Sequence, residues 1–206
     1  MLAHPKIEVN RKNLRGGTPL HGYFRKLEIL ALLLADERVD VNMENDSGDT
    51  AFMSMCASGY LKEVKMMLAD ERVWVNALDK QGLSSFFKCC AQHKKSMVEL
   101  LLTNPRIDPN FATTRGRTAL HDACADDPEI AKLLLADERV SVNTRDHDGV
   151  TPFETASFSP FFEIKRTRFL CFWVIPRSIS MPTLLPISHP SSLPVSSRRM
   201  TFAGNC

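Results

Sequence analysis

The sequence predicts an all-α protein built as an α-solenoid of stacked helical hairpins. An asparagine that closes an LxxxxVxVN-like run recurs at Asn10, Asn42, Asn76, Asn110 and Asn143, in steps of 32, 34, 34 and 33 residues. Six residues after each stands a glycine (Gly16, Gly48, Gly82, Gly116, Gly149), and two further on a hydroxyl residue (Thr18, Thr50, Ser84, Thr118, Thr151). Between these marks the apolar residues fall at i, i+3 and i+4, one stripe per helix. A two-helix hairpin this small cannot cover such a stripe alone, so each copy needs a neighbour of the same shape.

The clearest copy runs from Gly116 to Asn143. Thr118 is placed to cap a first helix whose apolar positions are Leu120, Ala123 and Cys124; Asp127 is placed to cap a second, with Pro128 at N1, where a missing N–H costs nothing. That second helix carries Ile130, Leu133 and Leu134. The other copies keep the scheme: Leu27 to Leu30, Leu33 and Leu34 in the first; Phe52, Met55, Val64, Met67 and Leu68 in the second; Phe86, Cys89, Val98, Leu101 and Leu102 in the third. Thr151, Pro152 and Glu154 open a fifth with a capping box.

These residues also carry a resemblance. GGTPLH at Gly16 to His21, GRTALH at Gly116 to His121 and GVTPF at Gly149 to Phe153 are similar to the TPLH signature of ankyrin repeats, whose period is about 33 residues. The resemblance spans Ile7 to Ile164 and implies a β-turn finger and two helices per repeat, with finger tips and the exposed face of each first helix forming a concave recognition surface. The signature erodes to TAFM at Thr50 to Met53 and SSFF at Ser84 to Phe87, and the glycine that ordinarily closes the second helix is replaced by ADERV or NPRI with one extra residue. Those helix ends therefore need a closure other than a left-handed glycine.

The expected organisation is an ankyrin repeat domain over residues 1–164, with a partial repeat at 1–9, repeats at 10–41, 42–75, 76–109 and 110–142, and a partial repeat at 143–164. From Lys165 the pattern is lost. Half of the chain's 12 prolines lie after residue 156, and residues 165–206 read as a disordered Ser/Pro-rich basic tail, outside the solenoid and of a kind that non-coding or frame-shifted sequence would give. A helix from Phe161 to Phe172 covering the last repeat is the structural alternative.

At 44% hydrophobic and 24% charged residues, the composition is ordinary for a globular protein. Charge is uneven: residues 1–156 hold 20 Lys and Arg against 23 Asp and Glu, whereas residues 157–206 hold 6 against 1. Cys56, Cys90 and Cys124 recur at one slot of the first helix, where stacked copies lie about 8 to 10 Å apart, too far for a disulfide. They read as small hydrophobes in a reducing compartment, so the expected location is cytoplasmic, with the nucleus possible. No run of about 20 apolar residues suggests a membrane span.

Two Cys/His pairs at helical spacing, Cys90 with His93 and His121 with Cys124, have the form of a nucleophile and its base, but no third orienting group is placed by spacing. Cysteines one repeat apart cannot converge on a zinc ion at about 2.0 to 2.3 Å. The triplicated ADER (Ala35 to Arg38, Ala69 to Arg72, Ala136 to Arg139) reads as a structural loop whose arginine offsets carboxylates at a helix C-terminus. No enzyme activity, cofactor, metal or nucleic-acid partner is expected.

Recognition of another protein is the expected function, by a monomer acting as adaptor or scaffold. The finger slots vary most between copies, and from them we select Lys80, Gln81, Leu83, Thr114, Arg115 and Arg117 as partner-binding residues, with Trp74, which precedes its finger, added to them. Trp74 occupies a slot that holds Asp40, Asp108 and Ser141 elsewhere, and aromatic anchors dominate interfaces. The alternatives are a regulatory fragment of a signalling enzyme such as a kinase or ubiquitin ligase, or a truncated product with no specific partner.

Overall fold

The computed structural model describes residues 7–22 and 26–158, the side chains of 157 and 158 excepted. The expected tail, most of the first partial repeat and the alternative helix at Phe161 to Phe172 lie outside these residues. Within them the chain forms α1 (Pro19–Gly22), α2 (Leu27–Ala35), α3 (Ala51–Ser58), α4 (Leu61–Ala69), α5 (Ser85–Ala91), α6 (Lys95–Leu102), α7 (Ala119–Asp126), α8 (Pro128–Leu135) and α9 (Pro152–Phe158). The first helices stack in series, α1 on α3, α5, α7 and α9, and the second helices do the same, α2 on α4, α6 and α8. Hairpin contacts α3–α4, α5–α6 and α7–α8 join the two rows. This is an all-α solenoid.

The core lies between the rows. Phe52, Met55 and Cys56 of α3 meet Val64 and Met67 of α4; Phe86 and Cys89 of α5 meet Val98 and Leu101; Leu120 and Ala123 of α7 meet Ile130 and Leu134. Ile130 and Leu134 are buried as expected, but Leu133 is only half-buried and Ala131 takes the third inward position of α8. Both valines of the V-x-V run turn inward as well: Val39, Val41, Val73 and Val75 are buried, as are Ile107 and Val140. A period-2 pattern next to the asparagine thus closes the core beneath each loop.

Helix starts follow the hydroxyl slot. Thr50 Oγ1 accepts the N–H of Met53 at 3.3 Å and Ser84 Oγ that of Phe87 at 3.2 Å. Where the signature histidine is present, its ring joins in. The backbone N–H of Thr18 donates to His21 Nδ1 at 3.2 Å, and that of Thr118 to His121 Nδ1 at 3.0 Å. The other ring nitrogen then carries the proton and donates across to the next repeat, His21 Nε2 to the Asp49 carbonyl at 3.0 Å and His121 Nε2 to the Val150 carbonyl at 3.1 Å. Met53 and Phe87, which stand in the same slot of the eroded copies, are buried and substitute apolar contact for this bond.

The second helices close without glycine. At Asp36, Asp70, Asn104 and Asp137 the side-chain Oδ1 accepts the backbone N–H two residues on, at 2.9 to 3.0 Å. The arginine at that second position does more than offset its own carboxylate. It reaches the C-terminal carbonyls of the preceding repeat's second helix: Arg72 to Leu34 O (2.6 Å), Arg106 to Leu68 O (2.8 Å) and Arg139 to Leu102 O (2.7 Å). A cation on those unpaired carbonyls satisfies the helix end and its dipole together. Local turn chemistry is therefore tied to stacking, because the cap of one helix is supplied by the next repeat.

No β-strand forms among the described residues. The connecting loops, called fingers below, are tight turns, two of them closed by isolated bridges at Glu44–Thr50 and Leu78–Ser84.

Candidate recognition surface

Four of the fingers are turns held by the side chain of an Asn or Asp at their start. Asn45 Oδ1 accepts the N–H groups of Ser47 (2.8 Å) and Asp49 (3.0 Å), while the N–H of Gly48 donates to the Asn45 carbonyl at 3.0 Å. Asn13, Asp79 and Asp146 repeat the arrangement. Gly48 has φ of +81°, a region that costs an L-residue about 1 to 2 kcal/mol. A Cβ there would also stand 2.7 Å from the backbone nitrogen of Lys80 in the next finger. The glycine thus serves both the turn and the close approach of its neighbour.

That approach is bonded. The N–H of Asp46 donates to Arg15 O (3.2 Å), that of Lys80 to Ser47 O (3.4 Å) and that of His147 to Arg115 O (3.0 Å). At the base of the fingers the counted asparagines form a second ladder. Asn42 Nδ2 donates to the Arg72 carbonyl (2.8 Å) and Asn42 Oδ1 accepts the Trp74 N–H (2.8 Å). Asn10, Asn76 and Asn110 do likewise onto residues 38 and 40, 106 and 108, and 139 and 141. The finger row is a preorganised backbone that carries variable side chains.

On this scaffold the seven expected residues divide. Lys80, Gln81, Thr114 and Arg115 are exposed at the tips, and Trp74 is 65% exposed in the loop after α4. Leu83 is half-buried and packs on the core. Arg117 is held inside the chain: it donates to Asp122 at 2.7 and 3.0 Å and stands 3.9 Å from Asp146. Both therefore shape the surface more than they project from it.

Lys88 was not anticipated. Its ammonium lies 2.6 Å from Asp49 and 2.6 Å from Asp79, with only 16% of the side chain exposed, so it joins two fingers to α5. Burial alone would lower the lysine's pKa; the two carboxylates outweigh it and hold the group above its ordinary value. The signal was present in the slots. Ser54, Lys88 and Asp122 are equivalent, and the charged ones face fingers of opposite sign, Asp49 for Lys88 and Arg117 for Asp122.

Among the described residues, the histidines of the two Cys/His pairs are bonded to partners other than their cysteines. Both nitrogens of His121 are committed to Thr118 and Val150, and His93 Nδ1 stands 2.9 Å from Asp127 Oδ2. Burial pushes the Cys124 thiol up to about 12 and raises those of Cys56 and Cys90 as well, so all three stay protonated and weakly nucleophilic near neutrality.

The sequence matches the family model described as ankyrin repeats in three overlapping copies, over residues 20–112, 64–146 and 86–166. No curated protein sequence matches it. Among solved structures it is similar to EF0377, an ankyrin repeat protein, with TM-score 0.67 and 24% identity over 78% of this chain and 84% of the other. It is also similar to the ankyrin repeat domain of Bcl-3, a member of the IκB family, with TM-score 0.70 and 23% identity over 78% and 72%. A third likeness is to a chain in the complex of the predatory endopeptidase Bd0816 from Bdellovibrio bacteriovorus with immunity protein Bd3460 (TM-score 0.62, 23% identity, 74% and 80% covered). At these identities the solved structures speak to the fold.

Proposed function

Because the chain belongs to the ankyrin repeat family, we propose that it is a non-catalytic protein-recognition module, an adaptor or scaffold that binds another protein along its finger row. The observation that carries this reading is a contrast within each finger. The backbone is fixed by repeated bonds within and between fingers, whereas the exposed side chains in the same slots change from copy to copy: Asp46, Lys80, Thr114 and His147 at one, Ser47, Gln81, Arg115 and Asp148 at the next. A surface already ordered before contact loses little conformational entropy on binding.

In this reading Lys80, Gln81, Thr114 and Arg115 touch the partner, Leu83 and Arg117 fix the surface beneath them, and Trp74 is an aromatic anchor. The module acts as a monomer in the cytoplasm or nucleus; no helix among the described residues is long and apolar enough to cross a membrane.

The test is site-directed photocrosslinking from positions 81 and 115, with position 65 on α4 as control. Capture of the same protein from both finger positions, absent from position 65 and abolished by K80A/R115A, is the expected result. Equal capture from all three positions would overturn the proposal.

A further inference from the structure

The loops that follow the second helices form a surface of their own. Residues 36–41, 70–75, 104–109 and 137–142 hold eight carboxylates and four arginines. Three of those arginines, Arg72, Arg106 and Arg139, are turned onto carbonyls of the preceding repeat, and Arg38 lies on Asp36 at 2.7 Å. The arginines thus spend their hydrogen bonds within the chain. Glu37, Asp40, Glu71, Asp108 and Glu138 stay exposed along the same edge.

Trp74 sits in the middle of that row, one repeat from Asp40 on one side and from Asp108 on the other. The fold uses only its backbone: its N–H donates to Asn42 Oδ1, as those of Asp40, Asp108 and Ser141 donate to the asparagines before them. Any side chain would satisfy the stack, yet this one is an indole with 65% of its surface in water. On the same edge, an open groove between the ends of α2 and α4 is lined by Leu34, Ala35, Met66 and Ala69 and by Glu37, Asp70, Glu71 and Arg72, the last turned onto Asp70 and the Leu34 carbonyl. An aromatic face and aliphatic floor on an edge where carboxylates outnumber arginines complement a flexible cationic side chain, whose stem packs while its head meets net negative charge.

We propose that this edge is a second docking surface that takes a lysine- and arginine-rich segment of a partner protein, with one cation stacked on Trp74 and its neighbours paired with Glu37, Glu71 and Asp108. The proposal shares with the preceding reading only Trp74, which it moves from the finger row to this edge.

The test uses the full chain and a fluorescein-labelled arginine–glycine repeat peptide, followed by anisotropy at low and high salt, with a glutamate–glycine peptide as control. The expected result is binding of the arginine peptide alone, weakened by salt. W74D, which installs the residue of the equivalent slots, should weaken it about fivefold or more, and E37Q/E71Q/D108N should weaken it and flatten the salt dependence. K80A/R115A should leave this binding unchanged, which separates its failure from failure of the finger-row reading. Circular dichroism checks that each variant is folded. The proposal is overturned if the arginine peptide does not bind, if W74D binds it as tightly, if the glutamate peptide binds equally, or if the finger variant is the one that loses it. Binding seen only after Lys165, Arg166 and Arg168 are neutralised would assign the edge to the chain's own basic segment and overturn it too.

Discussion

At the scale of single residues, His21 shows how a family signature becomes a condition on stability. Its Nδ1 accepts the Thr18 N–H and its Nε2 donates to the Asp49 carbonyl, so the ring fits only in its neutral form. Burial lowers its pKa, and the bond to the Asp49 carbonyl does not make up the difference. With the folded pKa below the unfolded value, the unfolded chain binds the extra proton first. The stabilisation is complete above about pH 6.5 and is lost as the pH falls through the folded pKa. Thermal unfolding from pH 7.5 down to pH 5 should therefore show a falling midpoint. H21Q, which keeps a capping-box partner without a titrating ring, should flatten that fall; an identical profile would remove His21 from the account.

At the scale of an element, the ends of the second helices separate what was legible in the sequence from what was not. The absence of a closing glycine could be read directly from ADERV and NPRI, and so could the need for another closure. The aspartate half of the answer is local, a side chain bonding two residues ahead. The arginine half is not, because Arg106 meets carbonyls at Leu68 and Asp70, 38 and 36 residues earlier, and only stacking brings them together. Asn104, which replaces the aspartate, leaves Arg106 without that acidic partner, and it makes more backbone bonds than its counterparts. R106A should accordingly cost about 1 to 2 kcal/mol, a few hydrogen bonds to a charged group partly replaced by water. Urea denaturation measures it, and R106K should recover only part, since an ammonium cannot span the same carbonyls.

At the scale of the whole molecule, the period was visible but its purpose was not. The asparagines served to count repeats; in the structure Asn10, Asn42, Asn76 and Asn110 are staples, each joining one repeat's loop to the next. The same distinction divides the candidate site. Lys80, Gln81, Thr114 and Arg115 were found by comparing slots, because exposure follows the repeat; Leu83 and Arg117 occupy equally variable slots yet are drawn inward, one by the core and one by Asp122. Variation alone could not tell a projecting residue from a compensated one. Lys88 was missed for the converse reason: its meaning lies in two carboxylates from different fingers. All of these features rest on neighbouring repeats being bonded to one another through fixed loops. Amide hydrogen exchange followed by NMR tests that claim most directly, at the four N–H groups of Asp40, Trp74, Asp108 and Ser141. All four should be protected in the folded protein, and N42A should release the Trp74 amide while those of α5 stay protected. Exchange of the four at the rate of an unstructured peptide in the unsubstituted chain would contradict it.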